Sequence, residues 1–271
     1  DTLTLVRNPD YWREGLPHLD EVIYRILPNT QARADALLSG GIDIATIAAT
    51  NWTQMAAAPS MKLHLSPTGG QALIVNVSTP TGKDERVREA ISLAFDSERT
   101  ARIIFGGLDH WDGDTSCIPF PTGSPACGDT AQPEQDVEKA SELIADFIAD
   151  GGDPKLTMVF GQSLADQAGY FQQELAAIGL EVELRSVDIT GLTEAQSSGD
   201  YGILVASTAS AGYPTVWNRL SASGTNWGKT DFPELEAALL EARDALTIEE
   251  RNAAWRTVSD TVASERYLYW M

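Results

Sequence analysis

Proton chemistry near neutral pH would fall first to histidine, and the chain has three, His18, His64 and His110, far apart in sequence. No GxSxG elbow, HExxH pair, phosphate-binding P-loop or GxGxxG turn accompanies them. His110-Trp111-Asp112-Gly113-Asp114 gathers an imidazole and two carboxylates. Their spacing matches no calcium loop, so a surface turn is the reading to set against a metal site, and no metal or cofactor is expected. Asp150-Gly151-Gly152-Asp153 reads as a helix stop and turn rather than as paired catalytic carboxylates. Trp217, Asn226 and Trp227 supply aromatic faces and an amide, groups that suit a sugar, a peptide bond or a heterocycle. The same tryptophans would serve equally well as core. The balance favours binding over catalysis. An acidic secreted hydrolase, whose carboxylates meet only in the fold, stands as the competing class.

Cys117 and Cys127 lie ten residues apart, too far for a CxxC redox or zinc pair. The segment between them is rich in Pro and Gly, with no regular structure to hold it. A loop disulfide suits an oxidising compartment; two free thiols are the alternative. The net charge of −20 repels nucleic acid and anionic lipid, which are therefore poor partner candidates. It mildly favours neutral or cationic solutes. The apolar runs, such as 72–75, are far too short to span a bilayer.

The elements that must position these residues alternate between the two periodicities. Segment 21–27 is rich in β-branched and aromatic residues and reads as a strand. A helix follows, with Thr30 as its expected N-cap, and Gly40-Gly41 stops it. Short strands are expected at 42–44 and 62–65, with a helix at 51–58 between them. A buried strand over 73–77 leads through a turn-rich 78–82 to the clearest helix of the chain. There Asp84-Glu85 favour the N-terminal dipole, and Val87, Ala90, Ile91, Ala94 and Phe95 recur at helical spacing. Further helices are expected at 97–104, 137–149, 166–178, 192–197, 232–246 and 248–264. Strands are expected at 156–160, 180–184, 201–206 and from 266. Such alternation means an α/β domain.

One run of residues goes further. Arg7-Asn8-Pro9-Asp10-Tyr11-Trp12, then Leu16-Pro17-His18-Leu19-Asp20-Glu21-Val22, then the helix ended by Ser39-Gly40-Gly41-Ile42-Asp43, resembles a signature of the family 5 extracellular solute-binding proteins. This is the peptide-, nickel- and oligosaccharide-binding group (cluster C) that serves bacterial ABC importers. Asn76, the stretch Asp84 to Ile91, Ala94-Phe95-Asp96 and Ile104-Phe105-Gly106-Gly107-Leu108 resemble the family's most recognisable internal block. Ile178 to Leu184, Gly199-Asp200-Tyr201, Asn226-Trp227 and Phe232-Pro233-Glu234-Leu235-Glu236 follow in family order. The resemblance covers nearly the whole chain. In that family the opening signature lies well inside the sequence, so the chain is expected to be a C-terminal-half fragment.

The resemblance implies a periplasmic-binding-protein type II-like α/β fold, a mixed β-sheet flanked by helices, in which two lobes close over a ligand. Residues 1–72 would be a remnant of the first lobe and 73–271 most of the second, with the hinge near 71–76 and a final return strand lacking. Asn76 matches a position at the lobe junction. His110 and Trp111 lie in a long loop that faces the cleft in such proteins. Peptide-binding members hold the ligand's ammonium with an aspartate four residues before a proline; here Pro214 places Ser210 at that position, and Ser207 stands where a tryptophan is usual. Tyr213 belongs to the same stretch. The missing acid argues against a standard di- or oligopeptide and for a roomier, hydroxyl-lined pocket. The implied role is solute capture for an ABC permease by a monomer outside the cytoplasm, anchored through an N-terminal segment. A ligand sensor on the same fold is the neighbouring alternative.

Overall fold

A computed structural model of the chain describes residues 2–27, 29–47, 51–64, 71–104, 117–120, 123–207 and 213–270. The chain divides into two compact units, Asp1–Leu65 and Ser66–Met271.

In the first unit β1 (Thr2–Val6) pairs antiparallel with β2 (Glu21–Arg25), Thr2 opposite Arg25 and Val6 opposite Glu21. β1 was not anticipated; its strict alternation, Thr-Leu-Thr-Leu-Val, is the strand signal that was there to be read. The connection folds back through Arg7 N–H donating to the Asp20 carbonyl at 2.7 Å. α1 (Thr30–Leu38) is capped by Asn29, whose side-chain oxygen accepts from Ala32 N–H at 2.8 Å. The cap therefore falls one residue ahead of the expected Thr30, because asparagine reaches the third backbone amide at least as well as threonine. Gly40, at φ +72°, turns the chain out of the helix. α2 (Trp52–Ala56) follows. Residues 42–44 and 61–64 form no strand. Among the described residues neither stretch has a strand to pair with, and without a ladder a short apolar run has nothing to satisfy its backbone.

The second unit is built on β3 (Gln71–Val75), β4 (Lys155–Gly161), β5 (Glu181–Val187), β6 (Ile203–Ser207) and β7 (Leu268–Trp270), in the order β5-β4-β6-β3-β7. β4 runs parallel to β5 and β6, and β3 runs antiparallel to β6 and β7, so the sheet is mixed. Around it lie α3 (Pro80–Lys83), α4 (Glu85–Leu93), α5 (Ser97–Ile104), α6 (Val137–Ala149), α7 (Ala165–Ala177), α8 (Ile189–Ser198), α9 (Tyr213–Leu220), α10 (Pro233–Asp244) and α11 (Ile248–Glu265). Capping follows the sequence closely. Asp84, Asp136 and Asp188 each accept a first-turn amide, and Thr247 and Glu250 close a reciprocal capping box at the head of α11. Two short helices had not been expected: α3, where Thr79 caps a single turn begun by Pro80, and α9, where Pro214 stands in the first turn.

The core lies between sheet and helices. Phe95 of the α4–α5 junction meets Phe171 edge-on at 5.8 Å and Tyr269 at 4.7 Å. Burial pushes the Tyr269 hydroxyl up to about 12, with Ser97 as a hydrogen-bond partner. A buried cation ties the helices together. Arg88 donates through Nε to the Glu265 carbonyl and through Nη1 to the Lys83 carbonyl, both at 2.8 Å, and pairs with the Glu265 carboxylate at 3.4 Å.

Candidate functional site

The parallel strands set the geometry. β4, β5 and β6 all deliver their carboxyl ends to one edge of the sheet, where Gly161 stands opposite Val187. Because β3 runs the other way, its first residue, Gln71, arrives at the same edge opposite Ser207. In open α/β sheets the crevice beyond the strands' carboxyl ends is where ligands bind. Gln71 is half-buried there, and its side-chain oxygen is shielded from solvent with no hydrogen-bond partner. Sequence reading missed it; the signal was a single polar residue heading an otherwise apolar strand.

Tyr213 opens α9 close after that edge. Its ring stacks on Trp255 of α11 at 5.1 Å, 14° from parallel, and meets Phe120 edge-on at 5.8 Å. The Arg251 guanidinium lies 5.2 Å from the ring centre, and the Tyr213 hydroxyl donates to the Asn252 side-chain oxygen at 3.3 Å. Arg251, Asn252 and Trp255 stand near the head of the last helix. No local motif in the sequence could have linked them to Tyr213.

Trp217 sits one turn after Tyr213, on the same face of α9. It is half-buried, with Arg243 5.9 Å from its ring and its indole N–H buried without a partner. Trp227 also has a buried indole N–H without a partner, but it is only 8% exposed, and the Arg219 guanidinium covers its ring at 4.5 Å. Its carbonyl accepts the Tyr201 hydroxyl, and its backbone N–H donates to the Arg219 carbonyl at 2.8 Å. Burial lowers the Arg219 pKa and raises that of Tyr201. Asn226, at φ +43°, folds its side chain onto Thr230, donating to its carbonyl at 2.8 Å and accepting its N–H at 2.9 Å. Trp227 is thus a packed ring and Asn226 a turn clamp.

Asn76 is held by hydrogen bonds of its own. It is fully buried, and its amide donates to the carbonyls of Gly199 and Tyr201 at 2.8 and 2.9 Å. Its oxygen accepts from the Ser78 N–H at 3.0 Å and hydroxyl at 2.7 Å. All four valences of the side chain are spent, so it stitches the end of β3 to the approach to β6. Ser207 ends β6 as a ladder residue. His110, Trp111 and Ser210 lie outside the described residues.

Cys117 and Cys127 are joined in a disulfide, with Cα atoms 4.3 Å apart. Ile118, Phe120 and Ala126 of the enclosed loop are buried. Among the described residues no group of three or more His, Cys, Asp or Glu could hold a metal ion, and no helix is long and apolar enough to cross a membrane.

Comparison with known proteins fits this arrangement. Residues 1–231 match the model of the bacterial extracellular solute-binding proteins, family 5, middle region, and the chain belongs to that family. The oligopeptide-binding protein AppA of Bacillus subtilis is 23% identical over 99% of this chain and 53% of its own length. The periplasmic binding protein DppA of Helicobacter pylori, solved with the peptide STSA, superposes with a TM-score of 0.84 at 21% identity, covering 100% of this chain and 54% of its own. The binding protein AgaA, solved with agropinic acid, also gives 0.84, at 24% identity, over 99% and 57%. The fold is that of the periplasmic binding proteins. The chain spans about half the length of these relatives, which are binding proteins rather than enzymes.

Proposed function

We propose that the chain forms part of the substrate-binding component of an ABC importer, capturing a small solute for a membrane permease. The observation that carries this is the family match over residues 1–231. In this reading residues 1–72 belong to the first lobe and 73–271 to the second, a return strand to the first lobe lies beyond the chain, and the protein works as a monomer. It acts outside the cytoplasm, tethered through a segment upstream of Asp1, and it has no catalytic role.

The ligand lies beyond the carboxyl edge of the sheet. The side chains assigned to it are Ser207, Ser210, Tyr213, Trp217, His110 and Trp111. A serine in place of the family's acidic anchor removes the partner for a ligand ammonium. The solute is therefore peptide-like without a free amino terminus at this point, an oligosaccharide, or an opine-like acid of the kind bound to AgaA.

A thermal-shift screen against peptides, oligosaccharides, opines and metal chelates tests this. A ligand of the folded state at a hundred times its Kd adds about 2.7 kcal/mol of stability, which raises the midpoint by several degrees. Silence across the panel, together with turnover of chromogenic hydrolase substrates, would overturn it.

A further inference from the structure

In the loop closed by Cys117 and Cys127, Ile118, Phe120 and Ala126 are buried, whereas Gly123 and Pro125 are exposed. α11 is what holds it. Arg256 donates to the Pro125 carbonyl at 2.9 Å, and the Asp260 carboxylate accepts the N–H groups of Asp129 and Thr130 at 2.8 and 2.7 Å. One and two turns back, the same helix presents Trp255 and Asn252 to Tyr213. Residues 252, 255, 256 and 260 are spaced by three and four, so a single helical face grips both the cross-linked loop and the head of α9.

Phe120 completes the contact. It lies between the two cysteines in sequence and packs edge-on against both Trp255, at 5.4 Å, and Tyr213, at 5.8 Å. Among the described residues no strand or helix lies between Cys117 and Cys127, so the bridge closes the segment that carries Phe120.

We infer that the Cys117–Cys127 bridge is a redox-sensitive brace, with Phe120 as the positioning residue that fixes the first turn of α9, whose Tyr213 and Trp217 belong to the proposed ligand site. The ligand consequence rests on the proposed function; the brace itself does not. A dithiol reductant breaks the bridge by passing two electrons and two protons to the sulfurs. This leaves two cysteine thiols and the reductant as its own cyclic disulfide. The freed loop then releases Phe120 from the aromatic stack, and the head of α9 loosens.

Hydrogen exchange followed by mass spectrometry tests this on the intact chain, oxidised and after dithiothreitol, with C117S/C127S, Phe120→Ala and Phe120→Leu beside it. Breaking the bridge should speed exchange in α9 roughly ten-fold while α7 and β5 stay unchanged. Phe120→Ala should do the same with the bridge intact, and Phe120→Leu should restore most of the protection. Unchanged α9 exchange on breaking the bridge would overturn the brace. If the cysteine variant loosens the whole unit, Phe120→Ala decides with the bridge intact: local loosening of α9 supports the brace, and none overturns it. In parallel, an equimolar pool of N-acetylated tripeptides is incubated with both redox states, and the retained peptides are quantified. Roughly ten-fold less retention after reduction supports the ligand consequence; equal retention refutes it. No retention in either state counts against peptide capture, while the exchange data still decide the brace.

Discussion

β2 and β3 are each five residues long, and most of their side chains are apolar or aromatic. In β2, Ile23 and Tyr24 are 56% and 54% exposed; in β3, Leu73 and Ile74 are 0% and 1% exposed. Composition does not separate them. What separates them is company. Among the described residues β2 pairs only with β1 and both strands are exposed along their length, whereas β3 has a strand on either side and lies within the core cluster. A two-stranded ribbon is marginal in water by itself, and a sheet becomes stable when further strands and packed helices share the cost of ordering it. The first unit therefore carries its apolar side chains outward, with Trp12 in its connecting turn 78% exposed, while the second unit carries the core.

This contrast can be broken by mutation. The largest effect should come from Phe95→Ala, which empties the aromatic centre of the second unit and should cost about 3–5 kcal/mol in urea denaturation. A loss below about 1 kcal/mol would mean that the core is looser than its packing indicates. Next is Asn76→Ala, which strands the carbonyls of Gly199 and Tyr201 and the amide of Ser78. About 1–3 kcal/mol is expected, and ligand affinity should stay unchanged because the side chain has no valence left for a solute. An affinity loss without a stability loss would restore Asn76 as a ligand contact.

Acid should act on the second unit as well. Lys139, through its hydrogen bond, with Arg266 adding, holds the Glu89 carboxyl below its ordinary 4.5, and Arg86 holds that of Asp84 below 3.8. Both are depressed in the folded state, so their contribution is present above those values and fades as the pH falls through and below them. A stability curve recorded from pH 7 to pH 3 should decline at its acid end, and Glu89→Gln should flatten part of that decline. The smallest effect belongs to the ribbon: Ile23→Thr should change stability by no more than about 0.5 kcal/mol. A cost of several times that would show that the ribbon's exposed face is covered in solution.

Much of the second unit was legible in advance because its helices announce themselves by caps and period. Asp84, Asp136 and Thr247 mark starts, and Gly179 at φ +97° marks a stop. β1 and α9 were overlooked for different reasons. β1 carries a sound alternation, but at the very start of the chain it had no turn before it to frame it. α9 follows a run of Ser, Ala, Gly and Thr that reads as loop, and its helical face is satisfied by α11, some 40 residues further on. The candidate site was legible only as chemistry. Trp217 and Trp227 are both aromatic, but only the fold shows that an arginine covers the ring of Trp227 and that Tyr213 shares a stack with Phe120 and Trp255. Gln71 carried only a faint signal, one polar residue heading an apolar strand, whose significance comes from its register opposite Ser207.

The most direct test compares the two ends of the sheet in one experiment. Hydrogen exchange is measured on the chain with and without the solute that gives the largest thermal shift. The account predicts added protection at the carboxyl edge, at the end of β6, in α9 and around Gln71, with the amino edge at 155–157 and 181–183 unchanged. Protection appearing at that amino edge, or nowhere in the second unit, would contradict it.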